Sequence, residues 1–277
     1  MTDDAPLISV LTRTYDRREL FKGAAASVLA QTWPNVEYVV VNDGGESVGD
    51  ILEPHQERMK VVYLEPGRLG RCAAGNVGLA AATGEYIAYL DDDDAFEPCH
   101  LEVLVRALMA SPLKVAYSDA WCVEMACPES PGPWVEKSRN ILYSEEFSKI
   151  KLLQKAYIHI VTFMHHREVY ERLGGFDESL EVLEDWDMFF RYAQDYDFLH
   201  VKEPTARFEI RDDESNAINR YRKEFVETRS RLFMKYSHLA VSELVGQVEA
   251  GMLEVQSLAD RIKELEAQVR HLKGGGP

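Results

Sequence analysis

The sequence predicts an α/β domain, a mixed but mostly parallel sheet flanked by helices, followed by a C-terminal coiled-coil helix. Three observations predict it. Short β-branched runs alternate with helical patterns from residue 7 to about 120, acids follow two of those runs directly, and the last thirty or so residues carry a heptad repeat.

Leu7–Thr12, Tyr38–Asn42, Val61–Leu64, Tyr86–Leu90 and Lys114–Ser118 read as strands, and Arg18–Ala30, Ser47–Arg58, Leu69–Ala82 and Pro98–Ala110 as the helices between them. Strands joined by helices make a parallel sheet covered on both faces, with ligands outside the carboxyl ends of the strands. Asp43 follows the second strand and Asp91 to Asp94 follow the fourth. Residues 125–140, rich in proline and glycine, read as a loop or hairpin tip. A second block follows, with a strand near His159–His165, a helix from Arg167, a turn at Gly174-Gly175 and a helix from Glu184 to about Asp195. Strands near Phe198–Val201 and Thr205–Ile210 close it. The expected division is a domain over 1–215, a connecting helix over 216–240, a coiled coil over 241–273 and a flexible end at 274–277.

In the tail, Leu244, Val248, Gly251, Val255, Leu258, Ile262, Leu265, Val269 and Leu272 recur at alternating spacings of four and three. Valine and isoleucine fill one core position and leucine most of the other, a choice that favours a parallel two-stranded coil and hence a homo-oligomer. The competing reading is one amphipathic helix packed on its own domain, which needs a broader apolar stripe than this.

The chain has 277 residues, enough to bury a large core. Its net charge of −16 argues against a nucleic-acid reader, which needs a basic face, but not against a nucleotide whose phosphates a metal ion neutralises. The four cysteines make neither a disulfide framework nor a zinc site. No signal peptide is visible and no apolar run approaches 18 residues, so a cytoplasmic protein is expected, compatible with a peripheral position at the inner membrane surface.

The run Asp91-Asp92-Asp93-Asp94 carries the strongest chemical signal. Adjacent carboxylates repel one another, and at the end of an apolar strand a cation relieves that repulsion. Oxygen ligands without a nearby thiolate suit Mg²⁺ or Mn²⁺. The plainer reading of such a run is a solvated loop.

These blocks resemble the family 2 glycosyltransferases of the GT-A (Rossmann-like) fold. Thr12-Arg13-Thr14-Tyr15-Asp16-Arg17 matches the family's first strand end, Ser27 to Trp33 its Ser-x-x-x-Gln-Thr helix, and Val41-Asn42-Asp43-Gly44 its Val-Asp-Asp-Gly. Gly70 to Gly78, then Gly84-Glu85-Tyr86, lead to the acidic run, and Leu173-Gly-Gly-Phe-Asp177 with Glu184-Asp185 completes the series. The resemblance covers roughly residues 7 to 215. It implies a nucleotide-sugar-binding half over 1–120 and an acceptor-binding half over 121–215. It implies an inverting, metal-dependent enzyme that moves a sugar from a nucleotide-diphosphate donor to an acceptor hydroxyl, in surface polysaccharide or glycan synthesis.

By that resemblance Thr12, Arg13 and Thr14 line the nucleotide pocket. Asp43 accepts from the base, which favours a UDP- or dTDP-type donor. Asn76 and Asp92 belong to the donor site, and Asp91 and Asp93 hold Mn²⁺ or Mg²⁺ against the diphosphate. Asp185 is the general base, and the acceptor is a saccharide or lipid-linked saccharide. A base on the face opposite the leaving group is also what an in-line displacement by a hydroxyl requires. The plain reading of Glu184-Asp185 is acids favoured at a helix start.

Two departures stand out. Gly75 occupies a place where the family often has arginine, which leaves Arg68 or Arg71 to supply that cation. No histidine occurs in Arg207 to Ser215, which leaves Arg211 to face the diphosphate. His159, His165, His166 and His200 read as structural. Trp121 and Trp134 are open between sugar stacking and packing. The competing functions are a sugar nucleotidyltransferase, whose glycine-rich loop after the first strand is missing here, and a catalytically silent binding or assembly module.

Overall fold

A computed structural model describes residues 5–57, 59–127, 134–211 and 222–274, with Arg222 and residues 265–274 described by backbone alone. Nine strands form one sheet: β1 (Ile8–Thr14), β2 (Val36–Asn42), β3 (Lys60–Leu64), β4 (Tyr86–Tyr89), β5 (Ala95–Phe96), β6 (Val115–Ala126), β7 (Val135–Ile141), β8 (Phe163–His166) and β9 (Phe198–Arg211). The order is β3-β2-β1-β4-β8-β6-β9-β5, with β7 hairpinned onto β6. The first four strands are parallel, β8 runs antiparallel to both neighbours, and β9 returns parallel to β6.

β2 is buried along its whole length, as a central parallel strand with both faces covered must be. Its period of two divides the core. Val39 and Val41 join Leu11, Ile87 and Tyr89 on one face. Tyr38 and Val40 join Ile8, Val10 and Ala88 on the other.

Helices α3 (Arg71–Ala81), α6 (Arg167–Leu173) and α7 (Glu184–Asp195) cover the first face, and α1 (Arg18–Leu29) and α4 (His100–Met109) the second. The mixed sheet with flanking helices is the architecture expected from the sequence. The expected helix over 47–58 shrinks to α2 (Gly49–Leu52) and one 3₁₀ turn (Glu53–His55). Of those residues only Leu52 and Val48 are buried, too narrow an apolar stripe to hold a longer helix. The two strands expected near Phe198–Val201 and Thr205–Ile210 are one strand, irregular opposite Ser118–Ala120. A short helix α5 (Lys149–Gln154) precedes β8.

The tail forms α8 (Arg222–Tyr236) and α9 (His238–Gly274). The first part of the expected connecting helix, 216–221, lies outside the described residues, as do 275–277. No described helix is long and apolar enough to cross a membrane.

Candidate active site

Register brings the strand-end residues together. Thr14 pairs with Asn42 and Leu11 with Tyr89. The Asp43 N–H donates to the Thr14 carbonyl (2.8 Å), and the Leu90 N–H to the Leu11 carbonyl (3.0 Å). Arg13, Asp43 and Asp91 therefore leave the sheet at one edge.

The acidic run does not act as four equal carboxylates. It folds as a turn, with the Asp94 N–H on the Asp91 carbonyl (3.2 Å), so successive side chains diverge. Asp92 turns inward and accepts from the Thr14 hydroxyl and the Arg17 guanidinium, both at 2.8 Å. Burial pushes its carboxyl up to about 7, against the pull of Arg17. Asp94, partly buried, accepts from the Glu209 N–H (3.4 Å), and desolvation first, then the Asp93 charge, holds its pKa well above the usual range. Asp91 and Asp93 remain the outward pair, with side chains 40% and 26% exposed. Asp91 faces Arg13 (3.3 Å), and Asp93 faces Arg17 (2.6 Å) and Arg211 (3.7 Å).

Asp43 is buried and accepts from the Leu69 (2.6 Å) and Gly70 (2.9 Å) N–H groups, pinning the loop that enters α3. Gly70 sits there at φ +95°, a conformation glycine tolerates without strain.

The second half contributes Glu184 and Asp185. Leu183, in the left-handed region at φ +61° with its side chain buried, turns the chain sharply into α7. Buried Glu184 lies between Arg13 (3.4 Å) and Arg71 (3.5 Å). Asp185 has no ion-pair partner among the described residues, and its Oδ1 accepts the Trp186 N–H (2.8 Å). Burial, then the charge of Glu184, pushes its carboxyl up to about 7. The Asp91 charge adds to this and Arg71 opposes it, which places both within electrostatic reach. Acids that follow β4 and acids that open α7 are thus neighbours, bridged by Arg13.

At Gly75 an added Cβ would lie 2.6 Å from the Phe176 ring and 3.2 Å from Cδ of Arg13, so the ring, with the Arg13 stem beside it, occupies the space a side chain there would need. Arg13 and Arg71, both on Glu184, are the cations in this region. The Arg13 guanidinium stacks over Phe176 (4.7 Å to the centroid) and spans from Asp91 to Glu184. Arg68 instead stacks on Tyr15 (4.8 Å).

Several expected donor residues turn elsewhere. The Thr12 hydroxyl is fully buried against Tyr38 (3.2 Å), and Thr14 is committed to Asp92. The Asn76 amide holds the Phe176 backbone (2.8 and 3.0 Å) and Glu178 (2.8 Å), clamping the Gly174-Gly175 turn. Arg211 is buried, paired with Glu209 and Asp93, with Trp134 over its guanidinium (5.9 Å). Burial holds the pKa values of His159 and His165 down to about 4, so both are neutral; His165 bonds Tyr89 (2.7 Å) and His200 bonds Asp119 (2.7 Å).

Sequence reasoning missed the clamp formed by Arg17. It stands inside the first matched block, three residues after Thr14, and that position was the only signal. Sequence reasoning also missed that Glu184 is held by two arginines, Arg13 and Arg71.

Strand order, helices on both faces and acids gathered at the strand ends define the GT-A class of fold. The family model for glycosyl transferase family 2 matches residues 9–174. YwdF of Bacillus subtilis (strain 168), described as an uncharacterized glycosyltransferase, is 28% identical over 228 residues, 80% of this chain and 82% of its own length. The chain spans 59% of two similar glycosyltransferases from Rickettsia. Among solved structures, S. aureus TarS 1–349 with UDP-GlcNAc superposes at a TM-score of 0.63 with 18% identity, covering 85% of this chain and 72% of that one. The mannosyltransferase PcManGT of Pyrobaculum calidifontis, with GDP-Man and Mn²⁺, gives 0.59 with 19% identity, covering 86% and 70%. This chain belongs to glycosyl transferase family 2, and it is a glycosyltransferase.

Proposed function

We propose that the chain is an inverting, metal-dependent transferase that uses a nucleoside-diphosphate sugar and carries the general base on Asp185. The carrying observation is the contrast at the start of α7: Glu184 is paired with two arginines, whereas Asp185 has no ion-pair partner among the described residues. A carboxylate whose ionisation lies near 7 is matched to taking a proton at neutral pH.

The acceptor hydroxyl oxygen attacks the anomeric carbon while the bond from that carbon to the diphosphate oxygen breaks. Asp185 accepts the hydroxyl proton, and the nucleoside diphosphate leaves with the bonding electrons. Arg13 and Arg71, anchored on Glu184, and Arg17 and Arg211, beside Asp93, surround the place where that charge develops.

Asp91 and Asp93 fit a hard divalent cation, Mn²⁺ or Mg²⁺. Both offer oxygens outward, and no group of three or more acids, cysteines or histidines among the described residues could hold a metal alone, which leaves ligand positions to the donor's phosphates. When bound, such an ion neutralises diphosphate charge as a Lewis acid. Asp43 at the strand end suits the imide N–H of uracil or thymine once the Leu69–Gly70 loop shares its oxygens. The TarS complex with UDP-GlcNAc supports a UDP-type donor, and the PcManGT complex with GDP-Man and Mn²⁺ supports the cation. The acceptor in this reading is a saccharide or lipid-linked saccharide met at the cytoplasmic face of the membrane.

The test is calorimetry with UDP-sugars and Mn²⁺, paired with transfer assays on Asp185→Asn. Retained donor binding with transfer abolished supports the reading. A variant that transfers as fast as the parent removes Asp185 from the chemistry.

A further inference from the structure

The feature that the transferase reading leaves unused is the long last helix, and it divides into two parts. Its foot is docked. Leu239 is buried in the same core as Phe190 and Tyr236. Glu243 accepts from the Ser148 hydroxyl (2.9 Å) and the Ile150 N–H (3.0 Å), closing the start of α5. Immediately beyond that contact the helix leaves the domain. Leu244, Val248, Val255, Leu258 and Ile262 are 51%, 62%, 66%, 59% and 56% exposed. Added Cβ atoms at Gly246 and Gly251 would meet nothing within 4 Å.

A solvated helix with two interior glycines is marginal, since each glycine costs about 1 kcal/mol relative to alanine. The exposed residues are not scattered. These five fall on the heptad seam, with Val245, Met252 and Leu253 exposed beside it, and the seam continues in sequence through Leu265, Val269 and Leu272. This excludes the alternative of a helix packed on its own domain for the described side chains.

We infer that the segment from Leu244 to Leu272 is an interface for a second copy of this chain, as a parallel two-stranded coiled coil. Val248, Val255 and Ile262 take the a positions and Leu244 and Leu258 the d positions, the pattern that selects two parallel strands. In that register Arg261 stands at g and Glu266 at the following e, so each arginine faces a glutamate of opposite charge across the parallel seam. Gly251 leaves one thin layer at d. Met252, 68% exposed in the single chain and placed at the adjacent e position, is long and flexible enough to cover it. The proposal does not rest on the transferase chemistry, because it uses none of the cleft residues.

The test is the mass of the full chain in solution at micromolar concentration. A mass of twice 31.6 kDa is expected. The double variant Val255→Asp with Ile262→Asp is expected at the single mass, with its donor-binding affinity unchanged, which separates dissociation from misfolding. Ile262→Cys reports direction, because a parallel seam sets this position against itself. Mild oxidation should then yield an interchain disulfide that the parent does not form. A parent chain of single mass, or one of three or more copies, overturns the two-stranded interface, and a cysteine variant that stays uncrosslinked overturns its parallel sense.

Discussion

The chain builds two acidic clusters and treats them in opposite ways. In the run after β4, Asp92 and Asp93 are clamped by Arg17, Asp91 faces Arg13, and Asp94 accepts a backbone N–H. At the start of α7 the two acids are adjacent in sequence yet unequal. Glu184 holds two arginines, and Asp185 holds none among the described residues. Carboxylates held beside arginines, with oxygens turned outward, suit gripping a cation or shaping a diphosphate site. An unpaired one, penalised by burial and by its neighbour's charge, suits proton transfer. Partner allocation, more than residue type, separates the binders from the base.

The largest effect that could break this comparison is at Asp185. Asp185→Asn keeps shape and removes basicity, so transfer should fall by ~10²–10⁴-fold, the usual worth of a positioned base, while donor and Mn²⁺ affinities stay within about twofold. The opposite cluster should respond in the opposite sense. Asp93→Ala removes one of the two outward carboxylates and the partner that Arg17 and Arg211 share, so Mn²⁺ and donor binding should each weaken by ~10- to 100-fold in titrations. If Asp93→Ala lost transfer with both affinities intact, the two clusters would have exchanged roles.

A smaller, sharper effect lies in pH. Asp185 must be ionised to accept a proton, and its pKa in the free enzyme is pushed up to about 7. The value of kcat/KM should therefore fall about tenfold per pH unit below roughly 7 and level off above it. A profile flat from pH 5 to 8 would place the base elsewhere.

Much of this was legible in the sequence because the patterns were local. Buried β2, the α7 start at Glu184 and the turn at Gly174 follow from period, β-branching and glycine placement alone. Asp91 and Asp93 were singled out by the family resemblance, and their outward exposure comes from the structure. What could not be read was long-range geometry. Arg13 crosses from β1 to Glu184, 171 positions away, and only the fold shows that Phe176, stacked under its guanidinium, occupies the space at Gly75. Asn76 has the chemistry of a ligand-binding amide, yet the approach of Gly175, whose added Cβ would lie 2.3 Å from Asn76 Oδ1, turns it into a clamp. Thr12 failed similarly: period two points it inward at Tyr38.

The last effect concerns stability, and its sign is diagnostic. The folded-state pKa of Asp185 is raised from 3.8 to about 7, whereas the unfolded chain keeps the ordinary value. Between those two values the folded state binds the extra proton, so stability falls as pH rises from about 4 to about 7 and is constant above. The penalty at pH 8 comes from an ionised carboxylate held in a partly buried site. Asp185→Asn removes it, so the variant should unfold at a higher temperature than the parent at pH 8, by at most about 4 kcal/mol, the full linkage value of a shift of that size. The two proteins should converge near pH 4, where the parent's carboxyl is already neutral when folded. A polar-to-amide change at an ordinary exposed acid would move neither curve, and a structural ion pair would move it the other way. A variant that is inactive yet more stable only above neutral pH would identify Asp185 as an acid kept at a cost for its chemistry.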